Sequence, residues 1–292
     1  MVSLMEMNSS SPKILLSVLL ATLLVVGVIV LLVVDSFTRI PNFTEVKDKV
    51  RMPIHNAKGE KIFRWVGPNT AEWAPMSQIS NHLLMAVIAS EDSAFYQHDG
   101  LDYHEIREAI KKDFREKKWA RGASTLTQQV VKNLYLTTQK TLWRKIKEMV
   151  WARELEKALS KSEILCLYVN LAEWGPGIYG VKQAARYYFS NAPADLTPTQ
   201  SAFLAMLLPS PLKYSASFKK KELTSWAEKR TKQILSTMNR LKLLEDAEYE
   251  AALSESLWKR VKTTASDGGT EESPPGGEAV PAEEIPEQGE IE

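Results

Sequence analysis

Acidic side chains are missing where they would normally be interleaved. From Lys117 to Lys147 the chain has eight basic residues (Lys117, Lys118, Arg121, Lys132, Lys140, Arg144, Lys145, Lys147) and no Asp or Glu. The whole chain is nearly balanced, 37 basic against 36 acidic residues, so the gap is local. An arbitrary basic run is usually a solvated face. Against that reading, surface helices normally mix both signs for i,i+4 pairing. The opposite deficit marks residues 265–292, which hold nine acids and no base. Without them the remaining 264 residues carry 37 basic and 27 acidic side chains, a charge of +10 that favours anionic partners. Cysteine is nearly absent. The single Cys166 excludes an internal disulfide and, lying in an apolar helical run, reads as buried filler rather than a nucleophile. The four histidines form no metal-ligand spacing with Cys, Asp or Glu, and there is no glycine-rich nucleotide loop, internal repeat or strand-rich region.

Charge is also absent from Ile14 to Val34, 21 residues that as a helix would span about 31 Å, enough to cross a hydrocarbon core. A cleaved signal would have a shorter apolar region and a small-residue cleavage site, so the stretch reads as a permanent anchor. Lys13 on its N-terminal side, in a tail that also holds Glu6, places the body outside. The expected layout is a cytoplasmic tail 1–13, an anchor 14–34, a connector 35–76, a catalytic domain 77–262 and an acidic disordered tail 263–292.

The connector contains Lys61–Val66, which reads as a strand or hairpin. From Ser77 the pattern is helical: Ile79, Leu83, Leu84, Val87 and Ile88 make one apolar face, leading into Glu91-Asp92, with Gly100 as the stop. Two adjacent carboxylates there are either an acid/base site or a solvated helix end. Residues 103–121 are dense in both signs yet carry Phe114 and Trp119, as a bilayer-surface segment or an ordinary surface helix would. A helix over 124–136 follows, with Ser124 as N-cap and a polar stripe of Ser124, Gln128 and Lys132. A helix N-terminus amid cations suits a phosphate. On the next helix, 141–159, Arg144 and Lys145 share a face with Glu148; a structural salt bridge would use the same spacing. Residues 161–189 read helix, turn at Trp174–Gly177, helix. Leu196 opens another that Pro209 and Pro211 stop, and helices over 222–243 and 245–260 close a mainly α body.

Five blocks in order resemble the peptidoglycan glycosyltransferases, the polymerising domain of class A penicillin-binding proteins and their monofunctional relatives (family 51 glycosyltransferases). They are Glu91-Asp92-x-x-Phe95-x-x-His98-x-Gly100; Gly122-x-Ser124-Thr125-x-Thr127-Gln128-Gln129-x-x-Lys132-Asn133; Arg144-Lys145-x-x-Glu148; Ile164-Leu165-x-x-Tyr168-x-Asn170 with Gly175, Gly180 and Ala184–Phe189; and Leu196-Thr197 through Leu204-Ala205 to Pro209-x-Pro211. The resemblance covers about residues 77–215. The last block departs from the pattern, with Gln200 in place of the usual Glu, which touches a structural contact more than chemistry. Ser-x-x-Lys occurs at Ser10–Lys13 and Ser217–Lys220 without a following Lys-Thr-Gly, so no transpeptidase is expected.

The resemblance implies a lysozyme-like helical glycosyltransferase domain with a single N-terminal transmembrane helix. It implies a monofunctional enzyme that polymerises lipid II into peptidoglycan strands, inverting the donor and releasing undecaprenyl pyrophosphate. Glu91 is implied as general base. Glu148 is implied as a second carboxylate that orients cations or assists departure. Lys132, Lys140, Arg144 and Lys145 would supply cations to the pyrophosphate, and Ser124, Thr125, Gln128, Gln129 and Asn133 hydrogen bonds; His98 reads as structural. No cofactor is required, a divalent metal at the pyrophosphate is left open, and the want of a nucleotide loop argues against nucleotide sugars as donors. The partners are lipid II, the growing lipid-linked glycan and the membrane, with other cell-wall synthesis proteins left open and no nucleic acid. The place is the bacterial inner membrane, catalytic domain on the periplasmic side. The rival readings are a lytic glycosidase on a similar fold and a non-catalytic membrane-anchored cell-wall scaffold.

Overall fold

The computed structural model describes residues 12–56, 59–116, 124–136, 141–215 and 223–257. The expected tails at 1–11 and 263–292 lie outside these residues, as do Gly122, Lys140 and the end of the charged segment at 117–121. Helix α1 (Pro12–Thr38) opens the described chain. Within it Ile14–Asp35 has a mean hydropathy of 3.1 and none of it is buried by the protein, so it is long and apolar enough to cross a membrane.

The connector forms a ribbon of β1 (Val50–His55) and β2 (Lys61–Val66), antiparallel, with Val50 opposite Val66 and His55 opposite Lys61. Only β2 was visible as a strand in the sequence. Pro53 hides β1, and a proline is tolerated there because a two-stranded ribbon consists of edge strands.

The body is helical: α2 (Asn81–Glu91), α3 (Tyr103–Glu116), α4 (Leu126–Tyr135), α5 (Leu142–Ala158), α6 (Lys161–Leu171), α7 (Val181–Phe189), α8 (Pro198–Leu207), α9 (Pro211–Tyr214), α10 (Ser225–Arg240) and α11 (Asp246–Ser254). Helix α8 is buried from Thr199 to Leu207, as its all-round apolar sequence requires, and α2 and α10 pack on it. Helix α4 packs against α5, α6 and β1. The site sits where these two groups of helices meet, at the end of α2 and the start of α4.

Local chemistry sets the ends. Capping boxes open α4 (Thr125 with Gln128), α6 (Ser160 with Glu163) and α8 (Thr197 with Gln200). This corrects the expectation for α4: Thr125, not Ser124, is the N-cap, because the capping box requires the Gln128 side chain three positions on. It also explains Gln200. Glutamine completes a capping box as glutamate does, and Gln200 further accepts a hydrogen bond from Asn191 at 3.1 Å. Helix α2 stops at Glu91, not at Gly100. Gly100 instead turns the following loop at φ +86°, where an added Cβ would lie 2.9 Å from the Ala152 carbonyl oxygen. The expected turn at Trp174–Gly177 is a small hairpin, β3 (Glu173–Gly175) with β4 (Ile178–Tyr179). Cys166 is buried and free, its thiol pushed up to about 11 by burial, as filler should be.

Candidate active site

Glu91 is the last residue of α2, half-buried. The Gln129 side-chain amide donates to one of its oxygens at 3.1 Å, and the Ser90 hydroxyl donates to the other at 3.4 Å. Burial raises its pKa above the ordinary carboxylate value; the two hydrogen bonds and the charges of Arg230 and Lys132 oppose that rise. Gln129 is itself held from behind, where the fully buried Tyr168 hydroxyl on α6 donates to its carbonyl oxygen at 3.3 Å.

Asp92, the other half of the carboxylate pair, does something different. Its carboxylate accepts the Leu126 N–H at 2.9 Å and faces His98 Nε2 at 3.0 Å, both deep in the protein. An anion at a helix N-terminus is favourable, so Asp92 fastens the start of α4 to the end of α2. His98 is held in this cluster, consistent with a structural role.

The cations face Glu148, which is 2 % exposed. Lys145 pairs with it directly and also donates to the Ser124 hydroxyl at 2.8 Å. The Arg144 guanidinium lies 4.0 Å from its other oxygen. Arg144 Nε is buried and finds no hydrogen-bond partner among the described residues. Lys132, one turn along α4 from Gln129, links the two carboxylates. Burial lowers its pKa, the fields of Glu148 and Glu91 raise it, and those of Arg144 and Lys145 lower it. Lys132 thus lies within electrostatic reach of the acid on α2 and of the cluster on α5.

Of the residues singled out in the sequence, Glu91, Ser124, Gln129, Lys132, Arg144, Lys145 and Glu148 belong to this connected set. Asn133 is half-buried beside Lys132 on α4. Thr125 and Gln128 are 3 % and 1 % exposed and bonded into the α4 cap, Thr125 donating in addition to the Gly100 carbonyl at 2.7 Å. Their side chains shape the turn, and Gln128 Nε2 is buried with no hydrogen-bond partner among the described residues. Arg230 was missed. It lies on α10, 140 residues from Ser90, to which its guanidinium donates at 3.5 Å, and no local pattern announces it. Lys147 was counted only in the basic run, yet it pairs with Asp35 at 3.0 Å and so fixes the end of α1 one residue from Glu148.

The transglycosylase family profile matches residues 58–239, more than half of the chain. The chain belongs to the transglycosylase family. The match includes every residue of the cluster just described. Among curated relatives, a biosynthetic peptidoglycan transglycosylase of Nitrosomonas eutropha is 48 % identical over 142 residues, 49 % of this chain and 58 % of that protein. A protein of the same description from Nitrosomonas europaea is 48 % identical over 157 residues, 53 % of this chain and 64 % of that one. One from Nitrosospira multiformis is 40 % identical over 166 residues, 57 % of this chain and 70 % of that one. The alignments with the two Nitrosomonas proteins therefore span about three-fifths of each relative's length. A crystal structure of penicillin-binding protein 1A from Haemophilus influenzae is matched at a TM-score of 0.36 and 21 % identity, over 75 % of this chain and 23 % of that one, too slight a likeness to bear on the fold.

Proposed function

We propose that this transglycosylase polymerises lipid II into the glycan strands of peptidoglycan, from the outer face of the bacterial inner membrane. The observation that carries the reading is the connected cluster: a half-buried carboxylate with neutral hydrogen-bond partners, in the field of Lys132, which also feels Glu148, Arg144 and Lys145.

In this reading Glu91 takes the proton from the 4-hydroxyl of the acceptor sugar. The freed oxygen attacks the donor anomeric carbon, the bond to the pyrophosphate oxygen breaks, and the α-linked donor becomes a β-1,4 link. The electron pair leaves with undecaprenyl pyrophosphate. That charge needs fixed cations, and Lys132, Arg144 and Lys145 supply them. The unpartnered Arg144 Nε is a buried donor that a phosphate oxygen would satisfy. Glu148 holds Arg144 and Lys145 in place. The Lys147–Asp35 pair beside the cations supports a role for α1 as the anchor, since a lipid pyrophosphate keeps its tail in the bilayer. Among the described residues no group of three or more His, Cys, Asp and Glu is placed to hold a metal ion.

A lytic glycosidase would use the same acid, but its leaving group needs no cationic cradle. The full chain in detergent or vesicles, given lipid II and, separately, finished glycan, decides between them. Growth of polymer from lipid II is the expected result. Fragments from finished glycan with lipid II untouched would replace the reading with hydrolysis, and neither product would leave a scaffold.

A further inference from the structure

The β1–β2 ribbon uses one face for folding. Val50, Met52, Ile54 and Val66 are buried in the core, where β1 packs on α4. The other face is made by the cross-strand pairs Arg51–Trp65, Pro53–Phe63 and His55–Lys61, none of them acidic, with Glu72 beside Trp65 at its margin. Phe63 and Trp65 remain 50 % and 55 % exposed. Cations lie over both rings: the Arg51 guanidinium is 4.2 Å from the Phe63 centroid and the Lys49 ammonium 5.3 Å from that of Trp65, with Lys61 5.6 Å from Phe63. The solvent face of an antiparallel pair is ordinarily polar and mixed in sign. Aromatic rings with Lys and Arg and no acid among the paired residues are instead the composition of a bilayer interface.

We propose that this outward face rests on the anionic phospholipid headgroups of the bilayer that α1 enters. The proposal depends on α1 being a membrane anchor and is independent of the catalytic assignment. Charge complementarity points to an anionic surface. The chain path points to the lipid as that surface, because the anchor is fastened to the body instead of joined by a free tether. Asp35 holds Lys147 at 3.0 Å, Phe43 packs edge-on against Tyr135 on α4 at 5.4 Å, and Lys47 pairs with Glu163 on α6 at 3.1 Å. The ribbon starts at Val50, soon after α1 ends at Thr38. A body held this close presents a fixed side to the headgroups. Helix α3, the other exposed amphipathic element, carries Glu105 and Glu108 among its bases and is less suited to an anionic surface.

The test uses the full chain in vesicles of phosphatidylcholine, with and without phosphatidylglycerol, and a photoreactive side chain at position 63 or, separately, 65. The expected result is lipid adducts from both positions in the anionic vesicles and few in the neutral ones. Lys49→Gln, Arg51→Gln and Lys61→Gln should each lower the yield by up to about fivefold, since each basic residue near an anionic surface contributes about that factor. None of the three belongs to the set of residues around Glu91 and Glu148, so polymerisation in detergent should be unaltered. Adducts to a second copy of the chain would overturn the proposal in favour of a protein interface. A chain that sediments with the vesicles yet gives no lipid adduct, or gives equal yields in both lipids, would also overturn it. A chain that fails to sediment with vesicles would remove the anchor reading, and the proposal with it.

Discussion

Glu91 and Glu148 both act on Lys132 but stand in opposite surroundings. Glu148 is buried with its charge met by Lys145 and Arg144. Glu91 is half-buried, bonded to the neutral Gln129 and Ser90, and its pKa is raised by burial. A carboxylate with direct cationic partners is poorly suited to accepting a proton; one held by neutral donors and raised by burial can take it and return it. The contrast supports the proposed division of roles, Glu91 as proton acceptor and Glu148 as holder of the cations. It also separates Glu91 from Asp92, whose charge is spent on the Leu126 N–H and on His98.

The largest effect should come from removing the proton acceptor. Glu91→Gln keeps the shape and the Ser90 contact, and turnover of lipid II should fall by about 10²–10⁴-fold, the usual range for a lost acid–base group. Binding of lipid II should persist, because the cations are untouched; loss of binding together with turnover would blur the two roles. Glu148→Gln should lower turnover too, by a different route. It leaves Arg144 and Lys145 without their carboxylate, so the defect should include weakened substrate positioning and a stability loss of about 2 kcal/mol, below the full cost of breaking a buried pair because the Lys145 side chain is 37 % exposed. Thermal unfolding in detergent checks it, and unchanged stability would mean that Glu148 does not hold the cations.

A smaller effect runs in the opposite direction. A carboxylate whose folded pKa is raised contributes stability below its unfolded pKa, and that contribution is lost as pH rises through the folded value. Glu91 is such a group, so ionising it as pH rises destabilises the fold. Glu91→Gln should therefore melt above the wild type at neutral pH, with the gap closing in acid. A variant that melts lower at neutral pH would contradict the environment described for Glu91.

Much of this site was legible because it lies on short helical spacings. Arg144, Lys145 and Glu148 fall on one face of α5, so periodicity brought that group together; on α4 the polar stripe read from the sequence was Ser124, Gln128 and Lys132, and Gln129 entered only through the family resemblance. Periodicity did not say which polar side chains are free. Thr125 is bonded into a cap, whereas Gln128 gives only its carbonyl oxygen to that cap and keeps a buried amide nitrogen without a partner among the described residues, a difference made at the scale of single hydrogen bonds. Adjacent residues also hid a division of labour, since Glu91 and Asp92 leave the end of α2 in different directions. Arg230 could not be found at all. It reaches the site through the packing of α10 on α2, and such tertiary contacts leave no mark in a local window. The strand β1 was lost to Pro53, where an edge position overrode the usual penalty.

The most direct test of the contrast is the pH dependence of lipid II polymerisation, for the wild type and for Arg230→Gln. Because burial raises the pKa of Glu91, the acid limb of the wild-type profile should lie above the ordinary carboxylate range. The Arg230 charge opposes that rise, so removing it should move the limb further toward neutral pH while the alkaline side stays in place. A limb in the ordinary carboxylate range, unmoved by the substitution, would contradict the assignment of Glu91 as the proton acceptor.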